Sequence, residues 1–297
     1  MRELRRARTS AGELAYRDLG DPEAPAVILV HGFPTSSHLW RHLAPLLSTS
    51  MRVLVPDLLG AGDSDKPEVP LGLPAQAAYL REWLGELGIE RAAVVGHGIG
   101  GGVAQLLAAE GAVGALVLID SAAFDAWPSE VTREAQAHAG GASPALVAAA
   151  IRTAFELGMR RGTLEEADLT EYVRPFTGAE GARAFGRWLR SFDGRGLEDA
   201  TAPVAERRIP TLVLWGEEDP FFPAVIAERL GEAIPTASVA LLPGCGHFLP
   251  EEAPETVGPL VAEYLRSRYL GRPHEHAPGP VRVELRRRPP MGEGGEP

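Results

Sequence analysis

The segment spanning residues 92–102 constrains the fold of this chain more than any other. It reads Ala-Ala-Val-Val-Gly-His-Gly-Ile-Gly-Gly-Gly, a short apolar run that leads into a cluster of glycines. A short apolar run bounded by a turn signal is typical of a buried strand. Glycine suits a sharp turn because it adopts positive φ without steric cost and lets other backbone approach closely. The segment therefore predicts a buried strand, a tight turn and a helix at 100–110.

The rest of the chain repeats this alternation of strand and helix. Short apolar runs alternate with helix-length amphipathic segments, which favours an α/β fold with a mostly parallel central sheet flanked by helices. The strand-like runs are residues 27–30, 53–55, 93–95, 115–119, 211–215 and 238–242, and the helix-like segments are 37–47, 74–87, 100–110, 223–233 and 254–269. Residues 1–8 and 13–19 predict an antiparallel hairpin at the N-terminus.

The alternation breaks once, between residues 119 and 211. The stretch 125–206 is rich in Ala, Glu and Arg, with helix-like pieces near 128–138, 144–160, 164–173 and 181–192. An insertion of this size is too long for a plain loop. We expect a helical cap at 123–206, placed over the carboxyl ends of the strands, where open α/β sheets bind ligands. The core then comprises 1–122 and 207–270, and the Pro-, Gly-, Arg- and Glu-rich segment 271–297 is expected to be a flexible tail.

Composition excludes several classes of function. The net charge of −11 argues against a nucleic-acid or anionic-membrane surface, and no apolar run approaches the ~18–20 residues of a membrane span. The N-terminus lacks the apolar core of a signal peptide, and the single cysteine, Cys245, cannot form an intrachain disulfide. We therefore expect a cytoplasmic protein, monomeric or homodimeric, with a small molecule as its partner.

No cofactor is expected from the sequence. His and Cys are not clustered at the spacing of metal ligands. The glycines at 96–102 are explained by a tight strand-to-helix turn in the middle of the chain, so they do not indicate a dinucleotide fingerprint.

Residues 96–100, Gly-His-Gly-Ile-Gly, have the layout of a nucleophile elbow, G-x-S-x-G. In an active elbow the third residue is Ser, Cys or Asp. Here that residue is Gly98, which has no side chain and cannot form a covalent intermediate.

Three further motifs accompany the elbow in a characteristic order. His31-Gly32-Phe33-Pro34 follows the strand-like run 27–30, residues 56–65 form a Pro-Asp-Leu-Leu-Gly-Ala-Gly-Asp-Ser-Asp turn, and Asp219 and His247 each follow a later strand. Together these motifs make residues 13–269 resemble the α/β-hydrolase superfamily. Residues 31–40 and 62–67, with the sequences His-Gly-Phe-Pro-Thr-Ser-Ser-His-Leu-Trp and Gly-Asp-Ser-Asp-Lys-Pro, resemble the branch of haloalkane dehalogenases and epoxide hydrolases.

The resemblance implies a role for each residue of the site. The backbone N–H groups of Phe33 and Ile99 would form an oxyanion hole, aided by the positive end of the helix dipole at Ile99. Asp219 would hold the imidazole of His247, which would act as the base. Glu218 and Asp125 are rival candidates for the acid.

The pocket around these residues is predicted from their neighbours in the sequence. We expect it to be lined by His31, Trp40, His97, Phe124, Trp127 and Phe248. The aromatic residues of the insertion are interpreted as packing residues rather than substrate contacts, and they are Tyr172, Trp127, Trp188 and Phe185. Cys245, beside His247, is interpreted as a small buried residue rather than a reactive thiol.

The sequence departs from haloalkane dehalogenases at the halide site. That family usually has Asn after His-Gly and Trp after the nucleophile, and each donates an N–H to the halide. Phe33 and Ile99 stand at those positions and cannot donate from their side chains. Haloalkane cleavage is therefore disfavoured, and residues 99–102 instead resemble superfamily members that act on esters and related bonds.

Gly98 leaves three hypotheses. In the first, the protein is an enzyme: a water activated by the His247–Asp219 dyad attacks a small apolar ester, epoxide or related substrate, or His247 acts alone as a base in proton transfer or elimination. In the second, the chain is a non-catalytic binding protein for a small apolar ligand. In the third, the glycine is an engineered knockout of an ordinary hydrolase. The first is favoured because both His247 and Asp219 are present.

Overall fold

The computed structural model describes residues 3–137, 141 and 143–271. Its centre is an eight-stranded sheet in the order β1-β2-β4-β3-β5-β6-β7-β8. β1 and β2 form the N-terminal hairpin, β2 also pairs antiparallel with β4, and the remaining pairs are parallel. The strands are β1 (Leu4–Thr9), β2 (Gly12–Leu19), β3 (Ala26–Val30), β4 (Arg52–Pro56), β5 (Ala92–His97), β6 (Val113–Ile119), β7 (Thr211–Gly216) and β8 (Ala237–Leu242). The predicted α/β fold with a mostly parallel sheet is therefore confirmed.

The central strands are buried on both faces. Every residue of β3, β5, β6 and β7 is buried, which explains why these strands are unbroken apolar runs rather than alternating ones. Successive side chains point to opposite faces of the sheet. In β5, Val94 belongs to one hydrophobic core, and Ala93 and Val95 belong to the other.

Helices cover both faces of the sheet and fill the insertion. They are α1 (Leu43–Leu47), α2 (Leu73–Glu86), α3 (Ile99–Glu110), α4 (Glu130–Ala137), α5 (Pro144–Gly158), α6 (Glu166–Val173), α7 (Gly178–Arg190), α8 (Thr201–Glu206), α9 (Val225–Ala233), α10 (Leu249–Glu252) and α11 (Pro254–Arg268). Among them no helix of the described residues is both long and apolar enough to cross a membrane.

Two helix predictions needed correction. The segment 37–47 is a 3₁₀ turn, Ser37–Trp40, followed by α1, rather than one helix. Pro45 has no N–H to donate to the carbonyl of Arg41, so a continuous α-helix is broken one turn upstream. The sequence also gave no signal for the short helix α8, which precedes β7.

The segment between β6 and β7 contains α4 to α8. Residues of α4, α5 and α7 share one cavity with residues that follow β3, β5, β7 and β8, so the insertion lies at the carboxyl ends of the strands. The expected tail at 271–297 lies, apart from Gly271, outside the described residues.

Candidate active site

A buried acid and histidine meet where β7 and β8 end. The Nδ1 atom of His247 lies 2.8 Å from Oδ2 of Asp219. The other carboxylate oxygen of Asp219 accepts the backbone N–H groups of Phe221 at 2.8 Å and Phe222 at 3.0 Å. Because a carboxylate can only accept, Nδ1 of His247 carries the proton and Nε2 keeps its lone pair. The arrangement leaves Nε2 free to act as a base.

The rival acids lie elsewhere. Asp125 is exposed and pairs with Arg229 at 2.9 Å, and Glu218 lies 4.0 Å from Arg160 with its side chain largely exposed. Asp219 is the acid that contacts His247.

Gly98 faces the free nitrogen of His247. It joins β5 to α3 with φ 56° and ψ −124°, a conformation that side chains rarely adopt. A Cβ at this position would lie 3.4 Å from Nε2 of His247 and 3.7 Å from the Cα of Gly32. Both are contacts that a Cβ makes without a severe clash. The residue could therefore carry a side chain, and the space in front of Nε2 is open.

The neighbouring glycines differ from Gly98 in this respect. A Cβ on Gly96 would lie 2.4 Å from the carbonyl oxygen of Gly100, and a Cβ on Gly100 would lie 2.3 Å from that of Val30. Glycine is required at both positions for packing of the turn against the sheet. At position 98 only the positive φ favours glycine, since the surrounding atoms leave room.

The two expected oxyanion donors border the same cavity. Ile99 is the first residue of α3, where an N–H has no acceptor within its own helix. Phe33 follows β3, and no acceptor in the described part of the chain takes up its N–H or that of Ile99. Both residues line the cavity.

The cavity has a volume of about 360 Å³ and an apolar wall. Among the described residues that line it, His247 alone is ionisable. The wall comprises Phe33, Pro34, Ile99, Trp127, Val131, Thr132, Ala135, Ala149, Ala150, Thr153, Ala154, Leu157, Phe185, Leu189, Phe221, Phe222, His247 and Phe248. Such a cavity fits a small, uncharged, largely apolar molecule.

Several aromatic predictions can be compared with this wall. Trp127 and Phe248 lie in it. Phe185 also lies in it, so its interpretation as a packing residue was incomplete: its ring packs 4.8 Å from that of Phe33 and also faces the cavity. Tyr172 and Trp188 are fully buried and do not line it.

The predicted pocket residues His31 and His97 lie behind the wall rather than in it. Nδ1 of His31 donates to the carbonyl of Gly32 at 2.8 Å, and its Nε2 accepts the N–H of Leu58 at 3.0 Å. Nε2 of His97 donates to the carbonyl of His247 at 2.8 Å. Burial lowers the pKa of both, and that of His97 falls well below its ordinary value. Each is a neutral structural histidine that holds a loop of the site.

Trp40 and Phe124 were also wrongly placed in the pocket. Trp40 is fully buried in the hydrophobic core that contains Leu43 and Val257, because the 3₁₀ turn that carries it packs against β3, β4 and α10. Phe124 is partly exposed, and the guanidinium of Arg229 lies 4.5 Å from its ring centre. Proximity in sequence to the site misled the prediction in both cases.

The turn at 56–65 holds its own backbone together. Asp57 accepts the N–H of Ser37 at 2.6 Å and that of Asp63 at 2.9 Å, and Ser64 donates to the carbonyl of Asp57 at 2.6 Å. Gly62 has φ 49°, and a Cβ there would lie 2.1 Å from the carboxyl carbon of Asp57. The motif fixes the loop beside Phe33 and supplies no group to the cavity.

A second buried carboxyl lies near the acid. Asp120 directly follows β6, and its Oδ1 accepts the N–H of Gly216 at 2.8 Å. Burial, reinforced by the charge of Asp219, raises the pKa of Asp120 well above its usual range. A neutral Asp120 therefore anchors the strand from which the Asp219 loop departs.

The sequence missed the small residues that line the cavity from the insertion. Ala150, Thr153, Ala154 and Leu157 on α5 follow the i, i+3, i+4, i+7 spacing of one helix face. Half of the Leu157 surface is exposed, so this face of α5 is not part of the packed core. The sequence predicts the helical period of α5, but it does not predict which way this face of the helix points.

The described residues contain no group of three or more His, Cys, Asp or Glu side chains arranged as metal ligands. Cys245 is fully buried, and burial raises the pKa of its thiol to about 11.

Comparison with known proteins places this geometry in a family. The model of the alpha/beta hydrolase family matches residues 27–259, and the protein belongs to that family.

Individual relatives are similar over most of their length. The chain is 28% identical to a haloalkane dehalogenase of Bradyrhizobium diazoefficiens, covering 89% of this chain and 94% of the relative. It is 28% identical to a soluble epoxide hydrolase of Corynebacterium sp. (strain C12), covering 78% and 86%. Among solved structures, an alpha/beta hydrolase fold protein from Burkholderia ambifaria superposes with a TM-score of 0.80 at 29% identity, covering 87% of this chain and 97% of that one. The resemblance to the branch of dehalogenases and epoxide hydrolases is confirmed.

Proposed function

We propose that the protein hydrolyses small, apolar, ester-like substrates by direct attack of water, without a covalent intermediate. The observation that carries the proposal is the alignment of His247 with position 98. Nε2 lies 3.4 Å from the place where a Cβ of residue 98 would be, in a space that Gly98 leaves open. A water molecule in that space could donate a hydrogen bond to Nε2.

The reaction follows from the groups around that space. Nε2 of His247 removes a proton from the water, and the water oxygen bonds to the substrate carbonyl carbon as the carbonyl π electrons move to oxygen. The N–H groups of Phe33 and Ile99 stabilise the oxyanion. When the tetrahedral intermediate collapses, the bond to the leaving alcohol breaks, and His247 returns the proton to the departing oxygen. The products are a carboxylic acid and an alcohol.

Asp219 makes His247 suited to this role. By accepting the Nδ1 proton at 2.8 Å it fixes the tautomer and stabilises the imidazolium that forms during attack. In triad enzymes that lack the nucleophile, the remaining groups still accelerate the reaction about 10³–10⁴-fold over water. We expect native turnover in that range, far below that of a complete triad.

Epoxides are a second substrate class to test. The similarity to a soluble epoxide hydrolase favours them, and opening an epoxide also needs an activated oxygen nucleophile. Haloalkanes are disfavoured because Phe33 and Ile99 have no side-chain N–H for a departing halide.

Ligand binding without turnover is the second candidate function. Gly98 favours it, because it removes the covalent nucleophile while about 360 Å³ of apolar cavity remains. Under this proposal the insertion acts as a cap that encloses the ligand.

An assay of turnover distinguishes hydrolysis from ligand binding without turnover. The substrates are p-nitrophenyl esters and styrene oxide, with a haloalkane as the disfavoured substrate. The proteins compared are the native chain and His247→Gln, which keeps the size of the side chain but removes the base. We expect slow native ester hydrolysis without an initial burst, at least 10-fold slower in His247→Gln, and no acyl adduct by intact mass.

Equal rates in the native chain and His247→Gln would refute the assignment of His247 as base. Absence of turnover in the native chain, together with saturable binding of an apolar fluorescent probe, would support the binding protein instead.

A further inference from the structure

We propose that Glu252 is a positioning residue that fixes the His247 loop and connects it to helix α5 of the insertion. This inference rests on the proposed function only in that it takes His247 as the base. Glu252 is the last residue of α10, and just 8% of its surface is exposed.

The carboxylate of Glu252 gathers backbone N–H groups from two separate segments. From the His247 loop it accepts the N–H of Gly246 at 2.9 Å and that of Phe248 at 3.2 Å. From the end of the α5 segment it accepts the N–H of Arg160 at 2.7 Å and that of Arg161 at 3.0 Å. Four backbone donors thus meet one buried carboxylate.

No side-chain cation of the described residues pairs with Glu252, so these N–H groups compensate its charge. Hydrogen bonds to a buried charged group are stronger than neutral ones, and removal of the charge leaves donors unsatisfied. The carboxylate therefore holds the residues on both sides of His247 in fixed positions.

His247 itself is held directly to the same insertion segment. Its backbone N–H donates to the carbonyl of Gly158 at 2.8 Å, and its own carbonyl accepts from His97 at 2.8 Å. Gly158 is the last residue of α5. Together with Glu252, these bonds tie residues 246–248 on both sides.

Interlocking glycines permit this close approach. A Cβ on Gly246 would lie 2.0 Å from the carbonyl oxygen of Gly158, and a Cβ on Gly158 would lie 2.5 Å from the ring of Phe248. A Cβ on Gly216 would lie 2.0 Å from the carbonyl oxygen of Gly246. None of the three positions tolerates a side chain, so the loop, the insertion and the end of β7 form one tightly packed unit.

The consequence concerns substrate binding. The same helix α5 presents Ala150, Thr153 and Leu157 to the cavity. A displacement of α5 by a substrate is transmitted through Gly158 and Glu252 to the loop that carries the base. Glu252 thereby links the cavity wall to the position of Nε2.

The adjacent residue provides a matched control. Glu251 also joins the insertion to the core, through two hydrogen bonds from Arg41 at 2.6 and 2.7 Å and one from the hydroxyl of Tyr172. In the described structure its carboxylate makes no hydrogen bond to residues 246–248, and its backbone N–H, which a substitution leaves in place, donates to the carbonyl of Phe248 at 2.8 Å. A comparison of variants at Glu251 and Glu252 therefore distinguishes loss of the attachment of the insertion from loss of the positioning of His247.

The test compares Glu252→Gln with Glu251→Gln. The Gln amide keeps one accepting oxygen, but its NH2 group can only donate, so in Glu252→Gln some of the four N–H groups lose their acceptor. Displacement of a catalytic group by about 1 Å can reduce the rate about 10²-fold. We expect kcat for p-nitrophenyl butyrate to fall 10- to 100-fold in Glu252→Gln, with KM changed less than threefold, and to stay within threefold in Glu251→Gln.

A spectroscopic measurement makes the test independent of activity. The Nδ1 proton of His247, bonded to Asp219, should give a sharp downfield proton resonance in the native chain and in Glu251→Gln. In Glu252→Gln we expect it to broaden through faster exchange with water. If the native chain has no turnover but this resonance behaves as described, the proposed function fails and the positioning role stands.

A folded Glu252→Gln with native kcat and a sharp resonance would overturn the inference. Should Glu252→Gln fail to fold, Glu252→Asp, which keeps the charge but shortens the side chain, takes its place. We expect an intermediate loss of kcat in that variant, and a native kcat with a sharp resonance would again refute the role of Glu252.

Discussion

Gly98→Ser should convert the protein into a covalent hydrolase. A Cβ at position 98 would lie 3.4 Å from Nε2 of His247, and rotation about Cα–Cβ can bring a serine Oγ within hydrogen-bond distance of that nitrogen. Asp219 already holds the opposite nitrogen of the ring at 2.8 Å. The substitution would therefore complete a Ser-His-Asp triad without movement of the other two residues.

The magnitude has a conformational and a catalytic part. A side chain at φ 56° and ψ −124° is strained by about 1–3 kcal/mol, which for a chain of this size lowers Tm by roughly 2–5 °C. Loss of the serine from a complete triad lowers kcat about 10⁶-fold, equivalent to about 8 kcal/mol of transition-state stabilisation. Because the site has not been optimised for serine, we expect Gly98→Ser to gain at least about 10²-fold, with about 10⁶-fold as the upper limit.

Stopped-flow hydrolysis of p-nitrophenyl acetate, with intact mass measured during turnover, tests this prediction. Gly98→Ser should show a burst and an adduct of one acetyl group. Gly98→Ala is the matched control, since it carries the same strain and the same Cβ but no hydroxyl: it should lose the same stability and gain no rate. A folded Gly98→Ser that is no faster than Gly98→Ala would show that Nε2 of His247 is not directed at position 98.

Three other predictions concern buried groups. Because burial raises the pKa of Asp120 in the folded state, the native chain loses stability as pH rises and this carboxyl is forced to ionise. Asp120→Asn does not ionise, so the Tm of this variant relative to the native chain should increase between pH 5 and pH 9. A difference in Tm that stays constant over this range would contradict the assignment. With the pKa of Cys245 at about 11 and its side chain buried, a thiol reagent at pH 7.5 should modify it only after unfolding in urea, and rapid labelling of the folded chain would disprove its burial. Arg41→Met should reduce the free energy of unfolding in urea by about 3 kcal/mol, because it leaves the buried carboxylate of Glu251 without its guanidinium partner. The double variant Arg41→Met with Glu251→Leu should recover part of this loss. If the effects of the two substitutions on the free energy of unfolding simply add, the two side chains are not coupled.

The sequence predicted the architecture well because its strongest signals are local. The apolar runs that became β3, β5, β6 and β7 are bounded by glycine, proline or charged residues, and each was found within two residues of its observed limits. The acid and the base could also be proposed, since Asp219 and His247 each follow such a strand and the carboxyl ends of parallel strands meet at one edge. Errors arose where one helix was assumed to be continuous, as at Pro45.

The side chains that form the cavity were predicted less well. His31, Trp40 and His97 adjoin the motifs in sequence but are buried in packed regions, and Phe124 lies under the guanidinium of Arg229, while Phe221 and the α5 face enter the cavity without any motif. Which way an aromatic ring turns depends on the elements that pack against it, and those come from distant parts of the chain. No local pattern carries that information.

For this protein, the sequence alone determined the order of strands and helices, the long insertion and the absence of a nucleophile at position 98, because each follows from residue type and local spacing. The tertiary structure decided that Nε2 of His247 faces that position across an open space, and that Glu252 joins the base to α5. Both arrangements depend on distances between segments that lie up to about 150 residues apart in the sequence. These distances are set by the packing of the folded chain and not by local sequence.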